Sequence, residues 1–98
     1  MKPLRVSPEA EIDVFEGALW YETERDGLGS EFLGAVREVF GHIEELPLRF
    51  PIVSEGIRRA MLRRFPFGVF FVVDQEQRPT VIAVMHLHRD PGSWERRG

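Results

Sequence analysis

His86, His88, Arg89 and Asp90 crowd two imidazoles, a guanidinium and a carboxylate into one short stretch near the end of this 98-residue chain. An imidazole that titrates near neutral pH beside an arginine is a workable general acid or base for phosphodiester cleavage. In a strand, side chains two residues apart point the same way about 7 Å apart, so His86 and His88 would act as a pair. They are poor metal ligands. The chain has no cysteine, and His42, the remaining histidine, falls in a helical pattern, so a third donor is missing and no metal is expected. The plainer alternative is a polar sheet end that hydrogen-bonds within itself and touches a partner. A second cluster, Arg58, Arg59, Arg63 and Arg64, alternates along a strand pattern, with Arg58 and Arg64 on one face and Arg59 and Arg63 on the other. Such pairs clamp phosphate or an acidic protein segment, or guard an outer strand and pair with surface acids such as Glu55. Beyond Arg89-Asp90, which reads as an ion pair or turn ending the strand, Pro91-Gly92 releases the chain, and Trp94 is placed to fold back as a plug or to meet a partner. No Ser-His-Asp arrangement, paired-carboxylate site or glycine-rich phosphate loop stands out, and no cofactor is implied.

The elements that must position these groups can be read from periodicity. Leu4 and Val6 alternate in a short strand over Lys2–Val6. Ser7-Pro8-Glu9 is a helix start: a hydroxyl cap, proline at the first helical position, and acids at the positive end of the dipole. Ala10, Val14, Ala18 and Tyr21 recur at helical spacing, with Ile12, Phe15 and Leu19 widening the apolar face. Asp26-Gly27 ends that helix. A second helix over about 29–45 carries the stripe Leu28, Phe32, Val36, Val39, Phe40, Ile43 and Leu46, and Pro47 stops it. The short connection implies an antiparallel helical hairpin. Residues 48–56 read as a loop. Strands follow over Ile57–Arg64, Phe67–Asp74 and Thr80–His88, with a break at Pro66 and a polar turn over 75–79. In the last strand Val81, Ala83, Met85 and Leu87 would share one face, and Ile82, Val84, His86 and His88 the other. The expected fold is α+β in the order β-α-α-β-β-β: one domain over residues 1–98, its helical hairpin on one face of a small, mostly antiparallel sheet. The other face would stay open and display His86 and His88.

Composition bounds the setting. The apolar content of 43% and charged content of 30% are ordinary for a globular domain. No run approaches the ~20 apolar residues of a membrane span, and the N-terminus lacks a leader pattern, so the expectation is a cytoplasmic protein without membrane contact. The net charge of −3 is unevenly spread. Residues 1–49 carry five Lys/Arg against eleven acids, whereas residues 50–98 carry eight arginines against five acids. The basic half suits a nucleic acid or an acidic protein segment, or simply balances the acidic helical half within one fold.

Several segments, in order, resemble a known family. These are Trp20-Tyr21-Glu22, Gly27-Leu28-Gly29, Glu31-Phe32-Leu33, Pro47, Pro51, Arg63-Arg64-Phe65-Pro66-Phe67, and Val84-Met85-His86 running into Arg89-Asp90-Pro91 and Trp94. Together they resemble the RelE/ParE superfamily of type II toxin–antitoxin toxins, and within it the ParE-like, plasmid-stabilisation branch. The resemblance implies a small bacterial toxin neutralised by a cognate antitoxin whose extended segment wraps it. It also implies one of two activities: ParE-like poisoning of DNA gyrase, or RelE-like cleavage of mRNA on the ribosome. An inactive member kept as a binding domain is a third outcome. The ribonuclease members place an arginine just after the first aromatic residue of the aromatic strand; here Gly68 stands there, between Phe67 and Val69. That removes the expected stabiliser of the scissile phosphate. His88 falls where those members hold an acid or base, with His86 and Arg89 as further candidates. Trp94 lies where many of them carry a tyrosine, and an indole has no phenolic proton to give. These departures favour the gyrase poison, with Arg58, Arg59, Arg63, Arg64 and Trp94 as contact residues for target or antitoxin.

Overall fold

Ser7 begins the first helix as its sequence implies. In the computed structural model, which describes residues 2–98, its backbone is extended and its hydroxyl accepts from the Ala10 N–H at 3.1 Å. Pro8 has no N–H to leave unpaired, and Glu9 and Glu11 sit in the first turn. Helix α1 spans Pro8–Glu24 and α2 spans Leu28–Glu45. The turn between them needs a left-handed residue, supplied by Gly27 at φ +87°. Gly27 has no side chain to cap α2, and Glu22 does that work from the last turn of α1: its carboxylate accepts from the Gly27 N–H at 2.9 Å and the Gly29 N–H at 3.0 Å. These two bonds hold the Glu22 carboxyl below its ordinary range. The helices cross closely at Gly29, where an added Cβ would stand 2.7 Å from the Ala18 carbonyl oxygen.

Among the described residues, five strands follow one another in space as β1-β5-β4-β3-β2, with β1 at Arg5–Val6, β2 at Ile52–Ser54, β3 at Ile57–Met61, β4 at Phe67–Val73 and β5 at Pro79–His86. β1 runs parallel to β5 and every other pair is antiparallel. The expected α+β architecture is present, with two additions. The stretch read as a loop contains a 3-10 turn, Pro47–Arg49, and the short edge strand β2. A helical turn, α3 at Gly92–Glu95, closes the chain. The strand expected to run to Arg64 stops at Met61.

The core has two layers. On the hairpin side, Phe32, Val36, Val39 and Ile43 of α2 pack with Ala60, Val69, Phe71, Val81 and Val84 of the sheet. On the other side, Ile57, Phe70, Ile82, Ala83 and Met85 pack under Trp94 of α3. The face expected to be open is therefore plugged by α3. One expectation about α1 fails: Ile12, Phe15 and Leu19 do not widen its buried face but point outward, all exposed. The inner face is already filled by Ala10, Val14, Gly17, Ala18 and Tyr21.

A β-bulge corrects the face assignment in β5. Pairing passes from Phe70↔Ala83 to Phe71↔Val81, so β5 holds one extra residue, Ile82. Before the bulge Val81 faces the hairpin; after it Val84 does, and so does His86, which pairs with Phe67. Ile82 joins Ala83 and Met85 on the α3 side. His86 thus sits on the helix-covered face, opposite to the face expected from simple alternation.

Three carboxyls are held below their ordinary range by local partners: Glu22 as above, Glu31 by Arg25 and then Arg64, and Asp74 chiefly by the Arg78 N–H, then the Glu76 N–H, in the β4–β5 turn. A lowered folded-state value makes the stabilisation complete above the unfolded value and lost as pH falls through the folded one. Stability should therefore decline as pH falls below the ordinary carboxylate range. Glu22→Gln, which keeps an acceptor but no proton linkage, should flatten that decline in a series of thermal melts.

Candidate functional site

His86 and His88 do come together, though at the helix side of the sheet end. Their ring centroids are 4.9 Å apart, and the His88 backbone N–H donates to His86 Nδ1 at 3.1 Å. The His86 ring also sits edge-on to Phe67 at 5.6 Å. With Nδ1 accepting, the neutral ring carries its proton on Nε2. His86 and Arg89 line a small cleft of about 160 Å³ with Asp13 and Glu16 of α1. His88 and Arg89 are exposed on the turn that follows β5.

Two residues at this edge were not signalled by the sequence. β1 covers only Thr80 and Val81 of β5, leaving the rest of that edge without a neighbouring strand. There the Asp13 carboxylate accepts from the Val84 N–H at 3.0 Å and from Arg97 Nη1 at 2.7 Å. Arg97 also donates to the Ile82 carbonyl at 3.0 Å. The pair spans 84 positions in the chain, and no periodicity or motif links residues so far apart.

The four arginines do not form one patch, because β3 ends before the alternation can reach Arg63. Arg58 turns toward the hairpin side and donates to the carbonyls of Leu48 and Phe50, at 3.2 and 2.7 Å, holding the 3-10 turn against the sheet. Arg59 lies on the α3 side, paired across the sheet with Phe70. Arg63 and Arg64 stand in the β3–β4 turn, Arg64 at φ +71°. They border a shallow cleft with Glu31 and Glu38 of α2, and Arg64 approaches Glu31 at 3.5 Å. Trp94 is 7% exposed and stacks on Phe70 at 4.2 Å, so its ring offers a partner almost no surface. Among the described residues, no group of three or more His, Cys, Asp or Glu is arranged to hold a metal ion.

No protein-family model matches the chain, and no curated protein matches it. Among solved structures, it is similar to a chain described as "Chromosomal ParDE TA system from P. aeruginosa", with a TM-score of 0.64. The two are 20% identical, and the match covers 88% of this chain and 96% of the other. The chain shares the fold of that structure. Within that fold, Gly68 occupies the position where the resemblance placed the ribonuclease arginine, and its missing side chain is filled from the neighbouring strand. A Cβ on Gly68 would lie 3.2 Å from Arg59 Cδ and 3.2 Å from the Phe70 ring. Arg59 therefore crosses over Gly68, on the face opposite to His86. Gly68→Arg should crowd Phe70, which Trp94 pins from above, and cost about 1–3 kcal/mol. Adding Arg59→Ala should recover part of that loss in a urea titration.

Among the described residues, helix α2 is the longest element at 18 residues, and no helix is long and apolar enough to cross a membrane.

Proposed function

We propose that this chain is the toxin of a type II toxin–antitoxin pair, that it acts by protein contact on DNA gyrase, and that a cognate antitoxin neutralises it. The ParE-like fold supports the toxin reading. One observation carries the choice of mechanism: His86, His88 and Arg89 share one sheet end, but none of the arginines 59, 63 and 64 joins them to bind a scissile phosphate. His86 is on the hairpin face with one nitrogen committed to backbone, Arg59 is on the α3 face, and Arg63 and Arg64 lie against α2. Around His86 the charges of Asp13 and Glu16 offset those of Arg89 and Arg97, so a phosphate gains no net attraction there. What remains accessible is a contact surface, with His88, Arg89, Arg63 and Arg64 exposed on two turns.

The test is expression in a bacterial host without the product of the adjoining gene. A gyrase poison should cause filamentation and a DNA-damage response with transcripts intact, unchanged by His88→Ala, and relieved when the adjoining gene is co-expressed. Codon-phased mRNA cuts that vanish in His88→Ala would establish the ribonuclease instead. No growth effect would leave an inactive binding domain.

A further inference from the structure

The turn that ends β5 is closed by an imidazole where an amide or carboxylate would ordinarily stand. The Arg89 N–H donates to the His86 carbonyl at 3.0 Å, closing a turn over His86–Arg89. Inside it, the His88 N–H donates to His86 Nδ1 at 3.1 Å. A side chain that accepts from the N–H two residues on is the device by which aspartate or asparagine closes such turns. Asp74 does this in the β4–β5 turn, where its carboxylate accepts from the Glu76 N–H at 2.9 Å. An amide or carboxylate oxygen stays an acceptor throughout the neutral range, whereas a ring nitrogen accepts only while it carries no proton. Imidazole is the side chain whose charge ordinarily changes between about pH 5 and about pH 8. His86 is half-buried and His88 and Arg89 are exposed, so solvent protons reach the site.

The charged groups around the ring decide where a protonated His86 goes. From α1, Asp13 and Glu16 line the same small cleft as His86. Asp13 is already committed, to Arg97 at 2.7 Å and to the Val84 N–H at 3.0 Å. Glu16 is exposed, and among the described residues it takes part in no ion pair. The turn itself contributes the Arg89 guanidinium, in the cleft, and the His88 ring at 4.9 Å. A positive charge on either opposes one on His86. Phe67 of β4 meets the ring edge-on at 5.6 Å and is uncharged. We propose that His86 is a proton-operated clasp. Neutral, it holds the turn closed through Nδ1; protonated, it releases the His88 N–H and turns to the Glu16 carboxylate. The released turn carries His88 and Arg89, so the clasp decides how firmly these two residues are presented. That consequence for a target rests on the contact surface proposed above. The clasp itself rests only on the ring, the turn and the carboxylates beside them.

The test is a series of NMR spectra of the full chain, reading amide and imidazole nitrogens from about pH 8 to about pH 5. At the upper end His86 should be neutral with its proton on Nε2, and the His88 amide should be protected from exchange. As His86 takes up a proton, that amide should shift and lose its protection with the same midpoint. His42, on α2, should titrate without moving it. His86→Asn keeps an acceptor at every pH in the range, so the His88 amide should there hold both its position and its protection. Glu16→Gln removes the carboxylate that receives the ring; it should move the midpoint to lower pH and leave the upper-end spectrum unchanged. A neutral His86 with its proton on Nδ1 would overturn the clasp, and the parent chain alone shows it. So would a His88 amide that follows the same course in His86→Asn, because its own ring would then be the cause. A midpoint indifferent to Glu16→Gln would overturn the movement toward α1. A working clasp in a chain that never arrests growth sinks the toxin reading alone. A growth-arresting chain whose His88 amide ignores pH sinks the clasp alone.

Discussion

Phe32→Ala should lower the free energy of unfolding by about 3–5 kcal/mol, the range for emptying a buried phenylalanine site. Phe32 is 0% exposed, with ring centroids 4.9 Å from Phe67, 5.4 Å from Phe65 and 5.3 Å from Tyr21. Those neighbours come from the start of β4, the β3–β4 turn and α1, so no single element can move in to close the hole. The opposite wall is Gly17, whose added Cβ would stand 2.8 Å from the Phe32 ring; it has no side chain to give. The site is therefore a ring inserted against bare helix backbone, and both deletion and crowding should hurt. Gly17→Ala alone should cost about 1–3 kcal/mol by overpacking. In a Phe32→Leu background the same change should cost measurably less, because the shorter side chain leaves room. Urea titrations of the two single variants and the double variant measure this directly, and strict additivity would show that the two sites do not share the space. For a chain of this size the larger loss corresponds to a fall in Tm of well over 10 °C, at about 4–8 °C per kcal/mol.

The same aromatic cluster explains why the hairpin was legible in the sequence and the sheet end was not. In α2 the spacing of Phe32, Val36, Val39 and Ile43 admits one buried face, and all four are buried. Ser7-Pro8 marks the start of α1 by chemistry that works within one turn. α1 itself is apolar on two sides, so Ile12, Phe15 and Leu19 could not be assigned inward or outward until Gly17 and Tyr21 were seen to fill the inner side. In β5 the run of apolar residues from Val81 to Met85 hides its own bulge: Ile82 and Ala83 are both apolar, and nothing in their types says that they share a face. The assignment of His86 to the open face followed from that hidden extra residue. β2 escaped notice because three residues after Pro51 are too few to show alternation. The pairing of His86 with His88 survived, since both lie beyond the bulge, and so did the folding back of Trp94. Arg59 over Gly68 shows the remaining limit. A gap left by one strand is filled by a side chain of the next, and only strand register reveals which one.

Asp13→Ala should cost about 2–3 kcal/mol, more than any surface ion pair in this chain, because it removes the acceptor of one group and the counter-charge of another at once. The Val84 N–H loses its acceptor on a strand edge that β1 does not reach, and Arg97 loses the carboxylate that balances a guanidinium only 27% exposed. Arg97→Ala should cost less, since Asp13 keeps the Val84 N–H, and the double variant should cost less than the sum of the two. Salt separates this pair from the exposed one between Arg25 and Glu31, whose side chains are 58% and 37% exposed. Concentrated NaCl should erase the latter's small contribution and leave the former largely intact. The wider consequence follows from where Arg97 sits. It ties the segment that carries Trp94, on one face of the sheet, around the β5 edge to α1 on the other. Releasing it should speed amide exchange from Ile82 to His86 and weaken the near-ultraviolet signal of Trp94 against Phe70 before the sheet itself unfolds. If exchange in Asp13→Ala rises uniformly across all five strands, the pair is only one more contribution to global stability. If it rises first at that edge, the pair is what keeps an otherwise unpaired strand edge closed.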